Sequence, residues 1–195
     1  MEYWQLFVAL VCLRLVLRLP ERKASLLVIL GSGGHTGEML TLLGGLDLAQ
    51  FADIRTLRAK EDDGSLRQLL TSLPKAADFT HHTILRSRRV GQSYFSSVFT
   101  TLLSLLQAIW VVLLIRPRMI LTNGPGTAVP VCYVAWGLGL VLGLRTQCVY
   151  VESVCRVQTL SWSGKLMYMI ATTFIVQWES LKKQYPRSHF HGLLV

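Results

Sequence analysis

The chain has 195 residues, of which 51% are hydrophobic and only 16% are charged, and its formal net charge is +9. This composition excludes disorder, and scattered Lys and Arg residues without zinc-ligand spacing or a basic heptad argue against a nucleic-acid partner. Soluble domains usually carry about 25% charged residues, so the composition indicates membrane contact, and the length allows one full domain with an appended anchor.

The first apolar segment, residues 3–19, is about as long as a membrane-spanning helix, and Pro20 ends it. Arg14 and Arg18 lie near its C-terminal end and more basic residues follow, so the positive-inside rule places the rest of the chain in the cytosol. We therefore expect residues 1–24 to form a single-pass membrane anchor helix. The alternative is an amphipathic helix that lies in the interface, with both arginine side chains reaching the headgroups.

From residue 25 onward, short aliphatic or β-branched runs alternate with longer helical stretches, which is typical of repeated βα units. We therefore predict that residues 25–195 form one α/β domain around a parallel sheet. The predicted strands span residues 25–30, 54–57, 80–85, 119–122, 147–151 and 173–177. The predicted helices span residues 38–46, 64–73, 93–115 and 128–144.

The stretches 93–115 and 128–144 are apolar enough to be considered as membrane spans. If both crossed the membrane, the strands between them would lie in hydrocarbon or on opposite sides of it. We therefore predict that both are helices packed on the sheet. The first carries an apolar stripe that is expected either to contact lipid or to be covered by the domain's own core. This stripe consists of Phe95, Phe99, Leu102, Leu106 and Trp110.

The four cysteines, Cys12, Cys132, Cys148 and Cys155, lie in or beside apolar runs, without a C-x-x-C pair or metal-ligand spacing. A chain of this length can build a core without disulfides. We predict that these cysteines are buried and reduced, as in a cytosol-facing protein.

The sequence GSGGHTGE, residues 31–38, directly follows the first predicted strand. Gly33 and Gly34 let the backbone turn sharply, so that several N–H groups converge at the positive end of the next helix, which suits a phosphate or diphosphate. The dinucleotide fingerprint G-x-G-x-x-G would need glycine where Thr36 stands. Tight geometry alone is the alternative role of such a turn, but His35 favours a functional loop.

A second turn, consisting of Asn123, Gly124, Pro125, Gly126 and Thr127, follows the predicted strand 119–122. In parallel α/β sheets the loops after the strands open on the same edge, where ligands bind. We therefore expect the two glycine-rich turns to face one crevice.

Glu152 follows the predicted strand 147–151 and is expected at this same edge. A carboxylate there can act as a general base or accept a hydrogen bond from a sugar hydroxyl. The alternatives are a charge at a helix N-terminus and a partner for Arg156.

Together these loops resemble the acceptor half of the GT-B glycosyltransferases related to the bacterial lipid-intermediate N-acetylglucosaminyltransferase. The chain resembles more closely the membrane-anchoring eukaryotic subunits of the UDP-N-acetylglucosamine transferase that extends dolichyl-diphosphate-N-acetylglucosamine. The resemblance runs from about residue 25 to the C-terminus and implies a single Rossmann-like sheet. Its motifs are GSGGHTGEM (31–39), RSRRV (86–90), NGPGTAVP (123–130), YVESVCRVQTLSWSGK (150–165) and FIVQWESLKKQYP (174–186).

The resemblance implies a heteromeric enzyme at the cytosolic face of the endoplasmic reticulum membrane. A GT-B transferase needs a second domain for its nucleotide-sugar donor, and the residues after Val176 are too few for one. We therefore expect a subunit, inactive alone, that recruits a soluble donor-binding catalytic subunit, with the first-step N-acetylglucosamine-phosphate transferase as a further partner. The apolar tail is predicted to dock on the soluble subunit, or alternatively to be an edge strand of its own sheet. This tail is Gly192, Leu193, Leu194 and Val195.

The implied reaction is an inverting transfer, in the second step of lipid-linked oligosaccharide synthesis for protein N-glycosylation. His35 and Glu152 are both candidate bases for the attacking 4-hydroxyl of the acceptor. Arg86, Arg88 and Arg89 are candidate contacts to a diphosphate or an anionic lipid; the alternative is that they belong to a solvated loop. The implied substrate-binding residues are Gly33, Gly34, His35, Thr36, Arg86, Arg88, Arg89, Asn123, Gly124, Gly126, Thr127 and Glu152. We expect no metal and no cofactor, because the sequence has no D-x-D cluster.

Two other functions are weighed against this one. A pure membrane scaffold for a soluble enzyme would keep the glycine-rich turns without any substrate contact. A nucleotide-binding oxidoreductase is disfavoured, because the dinucleotide fingerprint is missing and no acidic residue ends the second predicted strand at Leu57.

Overall fold

The computed structural model describes residues 24–86 and 94–195. The predicted anchor therefore lies outside the described residues, except for Ala24, and so do Arg88 and Arg89. The side chains of Phe95 and Phe99 are also outside the described part of the chain.

The described residues form one parallel sheet. Its strands are β1 Ser25–Ile29, β2 Asp53–Ala59, β3 Thr80–Ile84, β4 Met119–Thr122, β5 Gln147–Val151, β6 Thr173–Val176 and β7 His189–Phe190. Their order across the sheet is β3-β2-β1-β4-β5-β6-β7, and every pairing is parallel. The direction of winding reverses between β1 and β4, which is the switch point at which Rossmann-like sheets bind ligands. The prediction of a single parallel α/β sheet is confirmed.

Helices cover both faces of the sheet. They are α1 Gly34–Gly44, α2 Asp63–Ser72, α3 Tyr94–Ile115, α4 Ala128–Leu142, α5 Trp162–Ile170 and α6 Glu179–Gln184. Short 3-10 turns, Leu48–Gln50 and Pro74–Asp78, accompany them. All five residues of β1 are buried, as expected for a central strand covered on both sides.

The two faces of β1 lead to two separate clusters of buried side chains. Leu26 and Val28 pack with Met39 of α1, in a cluster that also includes residues of α2. Leu27 and Ile29 belong to the larger cluster on the other face, which is built with α3, α4 and α5. The alternation of side chains along the strand therefore assigns α1 and α2 to one face of the sheet and the later helices to the opposite face.

Most element boundaries agree with the prediction, and β4 and β5 agree at both ends. The helices α5 and α6 and the strand β7 were not predicted. Among the predicted elements the first helix differs most, because it begins at Gly34 rather than at residue 38. Gly33 is its N-cap and adopts φ 63° and ψ −129°, a conformation that glycine reaches at low cost. Glycine is also unfavourable inside helices, so the glycines in residues 34–37 do not predict a helix there.

The helices α3 and α4 pack on the sheet, as predicted. Ala108, Val112 and Ile115 of α3 are buried in the core cluster, whereas Leu106 and Trp110 are exposed. The alternative in which the domain's core covers these two side chains is therefore wrong. Within residues 24–86 and 94–195, no helix has the length and hydropathy needed to cross a membrane.

The cysteine prediction is correct at two positions. Cys132 and Cys148 are buried and free. Cys155 is also free but exposed, so its predicted burial is wrong. It lies in the loop after β5, beyond the apolar run that suggested burial. Cys12 lies outside the described residues.

Candidate functional site

A cleft of about 270 Å³ opens at the carboxyl edge of the sheet. It lies where the loops after β1, β2, β3 and β4 meet, so it spans the switch point of the sheet. The two glycine-rich turns predicted to share a crevice therefore do so. The cleft is lined by Leu30, Gly31, Ser32, His35, Ala59, Asp62, Arg86, Pro125, Gly126 and Thr127.

The N-terminus of α1 provides one wall of the cleft. No side chain caps this helix, and its first turn contains no acidic residue. The Thr36 hydroxyl donates a hydrogen bond to the Gly31 carbonyl, which holds the turn closed. At Gly34 a Cβ atom would meet nothing within 4 Å. The helix end thus combines free space with the positive end of a helix dipole, an arrangement that suits an anionic group.

His35 is half-buried and faces the cleft. Its Nδ1 atom is buried and has no hydrogen-bond partner among the described residues. Its backbone carbonyl accepts a 2.7 Å hydrogen bond from Nδ2 of Asn123. The His35 backbone is therefore held to the loop after β4, while Nδ1 of its ring is one of the few buried polar atoms without a partner among the described residues.

The second glycine-rich turn packs closely against the first. A Cβ atom at Gly31 would lie 2.7 Å from Cβ of Pro125, and a Cβ atom at Gly124 would lie 2.6 Å from the Tyr150 hydroxyl. Gly124 also adopts φ 102°, which only glycine reaches at low cost. These two glycines serve the close approach of backbone segments, whereas a Cβ atom at Gly126 would meet nothing within 4 Å.

Glu38 is a site residue that the sequence reasoning missed. Its Oε1 atom accepts a 2.6 Å hydrogen bond from the Ser153 hydroxyl, and its Oε2 atom accepts a 3.3 Å bond from Asn123 Nδ2. It therefore joins α1 to the loops after β4 and β5. The available signal was its position three residues after His35, which places both on neighbouring parts of one helix face.

Glu152 is only 1% exposed and does not line the cleft. Its Oε2 atom accepts hydrogen bonds from the backbone N–H of Ser161 at 3.0 Å and from the Ser161 hydroxyl at 3.2 Å. Its Oε1 atom accepts a 3.2 Å bond from the N–H of Ser153. Because Ser161 is the N-cap of α5, these contacts match the helix N-terminal alternative.

Burial favours the protonated form of the Glu152 carboxyl group over the ionised form. Desolvation raises the pKa of Glu152, and the hydrogen bonds from Ser161 and Ser153 oppose that shift. Tyr150, which stacks on Phe174 with ring centroids 4.8 Å apart, has a pKa raised by its own burial. Glu152 and Tyr150 therefore form a buried polar cluster beneath the carboxyl edge of the sheet.

Charged groups of both signs line the far side of the cleft. Arg86 follows β3 and lines the cleft, whereas Arg88 and Arg89 lie outside the described residues. Asp62 is the N-cap of α2 and accepts a 3.2 Å hydrogen bond from the N–H of Ser65. Among the described residues, no group of His, Cys, Asp and Glu side chains is arranged to hold a metal ion.

The C-terminal tail folds back onto its own domain. The backbone N–H groups of Leu194 and Val195 donate to Oε1 of Gln177, at 3.0 and 3.3 Å. Gln177 is buried, and its Nε2 atom donates a 3.0 Å bond to the Glu152 carbonyl. The strand at this edge of the sheet is β7, just before the tail. Leu193 of the tail remains exposed.

Solved structures with this arrangement define the class of fold. MurG of Acinetobacter baumannii matches 80% of this chain and 41% of its own, with a TM-score of 0.58 and 14% identity. Arabidopsis thaliana UGT89C1, solved with UDP, matches 89% of this chain and 53% of its own, with a TM-score of 0.55 and 14% identity. The chain thus spans about two fifths of MurG and has the Rossmann-like α/β fold found in GT-B glycosyltransferases.

Sequence comparison then identifies the family. The family model described as "Oligosaccharide biosynthesis protein Alg14 like" matches residues 26–194. Two proteins named UDP-N-acetylglucosamine transferase subunit ALG14 are 43% identical over 183 residues in Candida albicans and 41% over 185 residues in Homo sapiens. These alignments cover 89% and 90% of this chain and 80% and 85% of the relatives. The chain belongs to the Alg14 family.

Proposed function

We propose that this chain is the acceptor-binding subunit of a UDP-N-acetylglucosamine transferase. In this role it binds dolichyl-diphosphate-N-acetylglucosamine, while a separate soluble subunit binds the UDP-N-acetylglucosamine donor. The names of its relatives support a place in that transferase, and the family description supports a role in oligosaccharide biosynthesis. The reaction is the inverting transfer that adds the second sugar to the lipid-linked oligosaccharide used in protein N-glycosylation.

The observation that carries acceptor binding is the composition of the cleft. It combines the turn at the uncapped N-terminus of α1 with the Arg86 side chain and with free space beside Gly126, and Asp62 is the one carboxylate among the described residues that line it. A diphosphate is bound well by converging backbone N–H groups together with a guanidinium group. His35 and Thr127 also line the cleft, and we assign to them the contacts with the sugar that a bound diphosphate would carry.

We assign the general base to His35 rather than to Glu152. The His35 side chain lines the cleft, so its imidazole is placed to take the proton of the attacking 4-hydroxyl. Both oxygens of Glu152 instead accept hydrogen bonds from Ser161 or Ser153, and its side chain is 1% exposed. Glu152 then acts on the site through the loop that contains Ser153, which bonds Glu38.

A second subunit is supported by the names of the relatives, which are called transferase subunits. The described chain contains one Rossmann-like unit, and a GT-B transferase places its donor on a second one. We propose that the chain is inactive alone and that its tail, residues 192–195, docks on the donor-binding subunit. The exposed Leu193 supports this docking.

The membrane role rests on the sequence outside the described residues. We propose that the N-terminal apolar segment anchors the chain in the endoplasmic reticulum membrane with its domain in the cytosol. There the first-step N-acetylglucosamine-phosphate transferase would supply the acceptor lipid directly.

Reconstitution of the full chain with its soluble partner and a short-chain acceptor lipid tests this assignment. His35→Ala should lower kcat by about a hundredfold or more, and Arg86→Ala should raise the acceptor KM by about tenfold. The matched controls His191→Ala and Arg67→Ala, at exposed positions away from the cleft, should leave both constants unchanged. Loss of kcat in Glu152→Gln, with its thermal midpoint retained, would assign the base to Glu152 instead.

A binding measurement separates this proposal from the pure membrane scaffold. The full chain, without its partner, should bind the short-chain acceptor lipid, and Arg86→Ala should weaken that binding. Absence of binding by the wild-type chain would contradict acceptor binding and favour the scaffold.

A further inference from the structure

The outer surfaces of α3, α4 and α5 expose many large apolar side chains. Trp110 is 69% exposed on α3, Trp136 is 49% exposed on α4, and Trp162 is 81% exposed on α5. Other exposed residues on the same helices include Leu106, Leu140 and Met169. We call these six residues the apolar face. Scattered single exposed apolar residues are common on soluble domains, but a concentration on adjacent helices indicates an interaction surface.

The apolar face is continuous from helix to helix. All three helices cover the same side of the sheet, and α4 packs against both α3 and α5. Tyr133 of α4 connects the last two, because its hydroxyl donates a 3.0 Å hydrogen bond to the Leu166 carbonyl and its ring contacts Trp136 edge-on at 6.4 Å. The exposed side chains therefore belong to one surface.

The three helices that carry the apolar face contain no acidic residue. The sequence from residue 79 to residue 178 contains eight Lys and Arg residues and one carboxylate, Glu152, which is 1% exposed. The sequences of α3 and α4 contain no charged residue, and the only one in α5 is Lys165. The Lys165 ammonium lies 4.8 Å from the ring centroid of Trp162. An apolar surface whose helices carry one basic residue and no acidic one is complementary to an anionic lipid leaflet.

We propose that the apolar face lies on the membrane and contacts anionic lipids directly, independently of the N-terminal segment and of the transferase role. Exposed tryptophans favour the interface between headgroups and hydrocarbon, and three of them here lie on three neighbouring helices. A second copy of this chain is a poorer partner for the face, because it would bring one basic surface against another.

This contact also orients the cleft. The helix α4 begins at Ala128, directly after Thr127 of the cleft, so the cleft opens beside one end of the apolar face. A lipid-linked substrate in the same leaflet could then reach the cleft while its chain stays in the membrane.

Quenching of tryptophan fluorescence by brominated lipids tests the proposal in the full chain. The chain is reconstituted in vesicles of brominated phosphatidylcholine and phosphatidylserine, in a Trp4→Phe background that removes the tryptophan of the N-terminal segment. Trp178 serves as the internal reference, because it is bonded within the domain to the Val154 carbonyl. The proposal expects strong quenching that Trp110→Phe, Trp136→Phe and Trp162→Phe together reduce to that of Trp178. Unchanged quenching after the triple substitution, or none before it, would overturn the proposal.

A charge placed in the face gives a second readout. Leu106→Glu should weaken the quenching of the three face tryptophans by about tenfold, because burying a carboxylate in the membrane interface opposes contact. Leu46→Glu is the matched control, since Leu46 is also exposed but follows α1 on the other side of the sheet. Circular dichroism verifies that both variants fold. If Leu106→Glu leaves quenching intact and instead abolishes self-association or partner binding, the face is a protein interface and the proposal is wrong.

Vesicle composition tests the choice of anionic lipid. Removing phosphatidylserine, or adding salt, should reduce the quenching of the face tryptophans, because counter-charges and screening remove the attraction of the basic surroundings. Equal quenching in purely zwitterionic vesicles would overturn the assignment to an anionic leaflet.

Discussion

Ser153 donates a 2.6 Å hydrogen bond to Glu38, a residue 115 positions earlier in the chain. The bond joins the first helix to the loop after β5, and the same carboxylate also accepts from Asn123 in the loop after β4. One side chain thus holds the first helix to the loops after β4 and β5. The relative positions of these loops depend on Glu38.

We predict that Glu38→Ala lowers the free energy of unfolding by about 1 kcal/mol, the usual net value of a lost hydrogen bond. A double-mutant cycle with Ser153→Ala should give a coupling energy of at least about 0.5 kcal/mol. Denaturant unfolding measures both. Glu179→Ala is the control, because its exposed pair with Lys183 should contribute little. Additive effects of the two substitutions would contradict the coupling.

Two neighbouring glycines should separate stability from activity. Gly124→Ala combines a positive φ with a close contact to the Tyr150 hydroxyl, so it should cost about 1–3 kcal/mol of stability. Gly126→Ala meets no atom within 4 Å and should leave stability unchanged while it raises the acceptor KM. Thermal unfolding and transfer assays on the reconstituted pair measure the two effects. A stable Gly124→Ala protein, or a Gly126→Ala protein with normal KM, would refute the corresponding half.

The stability of the chain should depend on the protonation of Glu152. Burial raises the pKa of Glu152 above 4.5, so the folded chain holds this proton more tightly than the unfolded chain does. Its favourable contribution is fully present below pH 4.5 and is lost as the pH rises through the raised pKa. The difference in unfolding free energy between wild type and Glu152→Gln should therefore fall across this window. A difference independent of pH would contradict the prediction.

The tail should be necessary for the partner but not for the fold. We expect deletion of residues 192–195 to abolish co-purification with the donor-binding subunit. The deletion removes two hydrogen bonds to the buried Gln177 and the packing of Leu194 against the core, so the thermal midpoint should drop, by about 10 °C, while the chain stays folded. Leu70→Ala, at an exposed position of α2, is the control. Co-purification of the shortened chain would show that the partner binds elsewhere.

The sequence was sufficient to predict the order of the first six strands and the first four helices, but not α5, α6 or β7. β4 and β5 are short apolar runs bounded by turn residues, and their ends match the prediction. It also placed His35 and Gly126 at one crevice, because parallel strands put their following loops on one edge. These inferences need only local pattern and one general rule of topology.

The polar contacts of the site could not be predicted in the same way. Glu38 meets Ser153 only after the sheet has brought distant loops together. The burial of Glu152 likewise depends on the approach of α5, where a Cβ atom at Gly164 would lie 2.0 Å from its Oε2 atom. Such contacts depend on how helices pack on the sheet, which side-chain periodicity does not specify.

The position of β1 in the sheet has a consequence for synthesis of the chain. One edge of β1 pairs with β2, but the other pairs with β4, and Arg118 meets Ser25 across 93 positions. At about 5–20 residues per second, translation needs roughly 5–20 seconds to supply that partner. During this interval a largely apolar strand has an open hydrogen-bonding edge on the ribosome, so the nascent chain is expected to depend on chaperones.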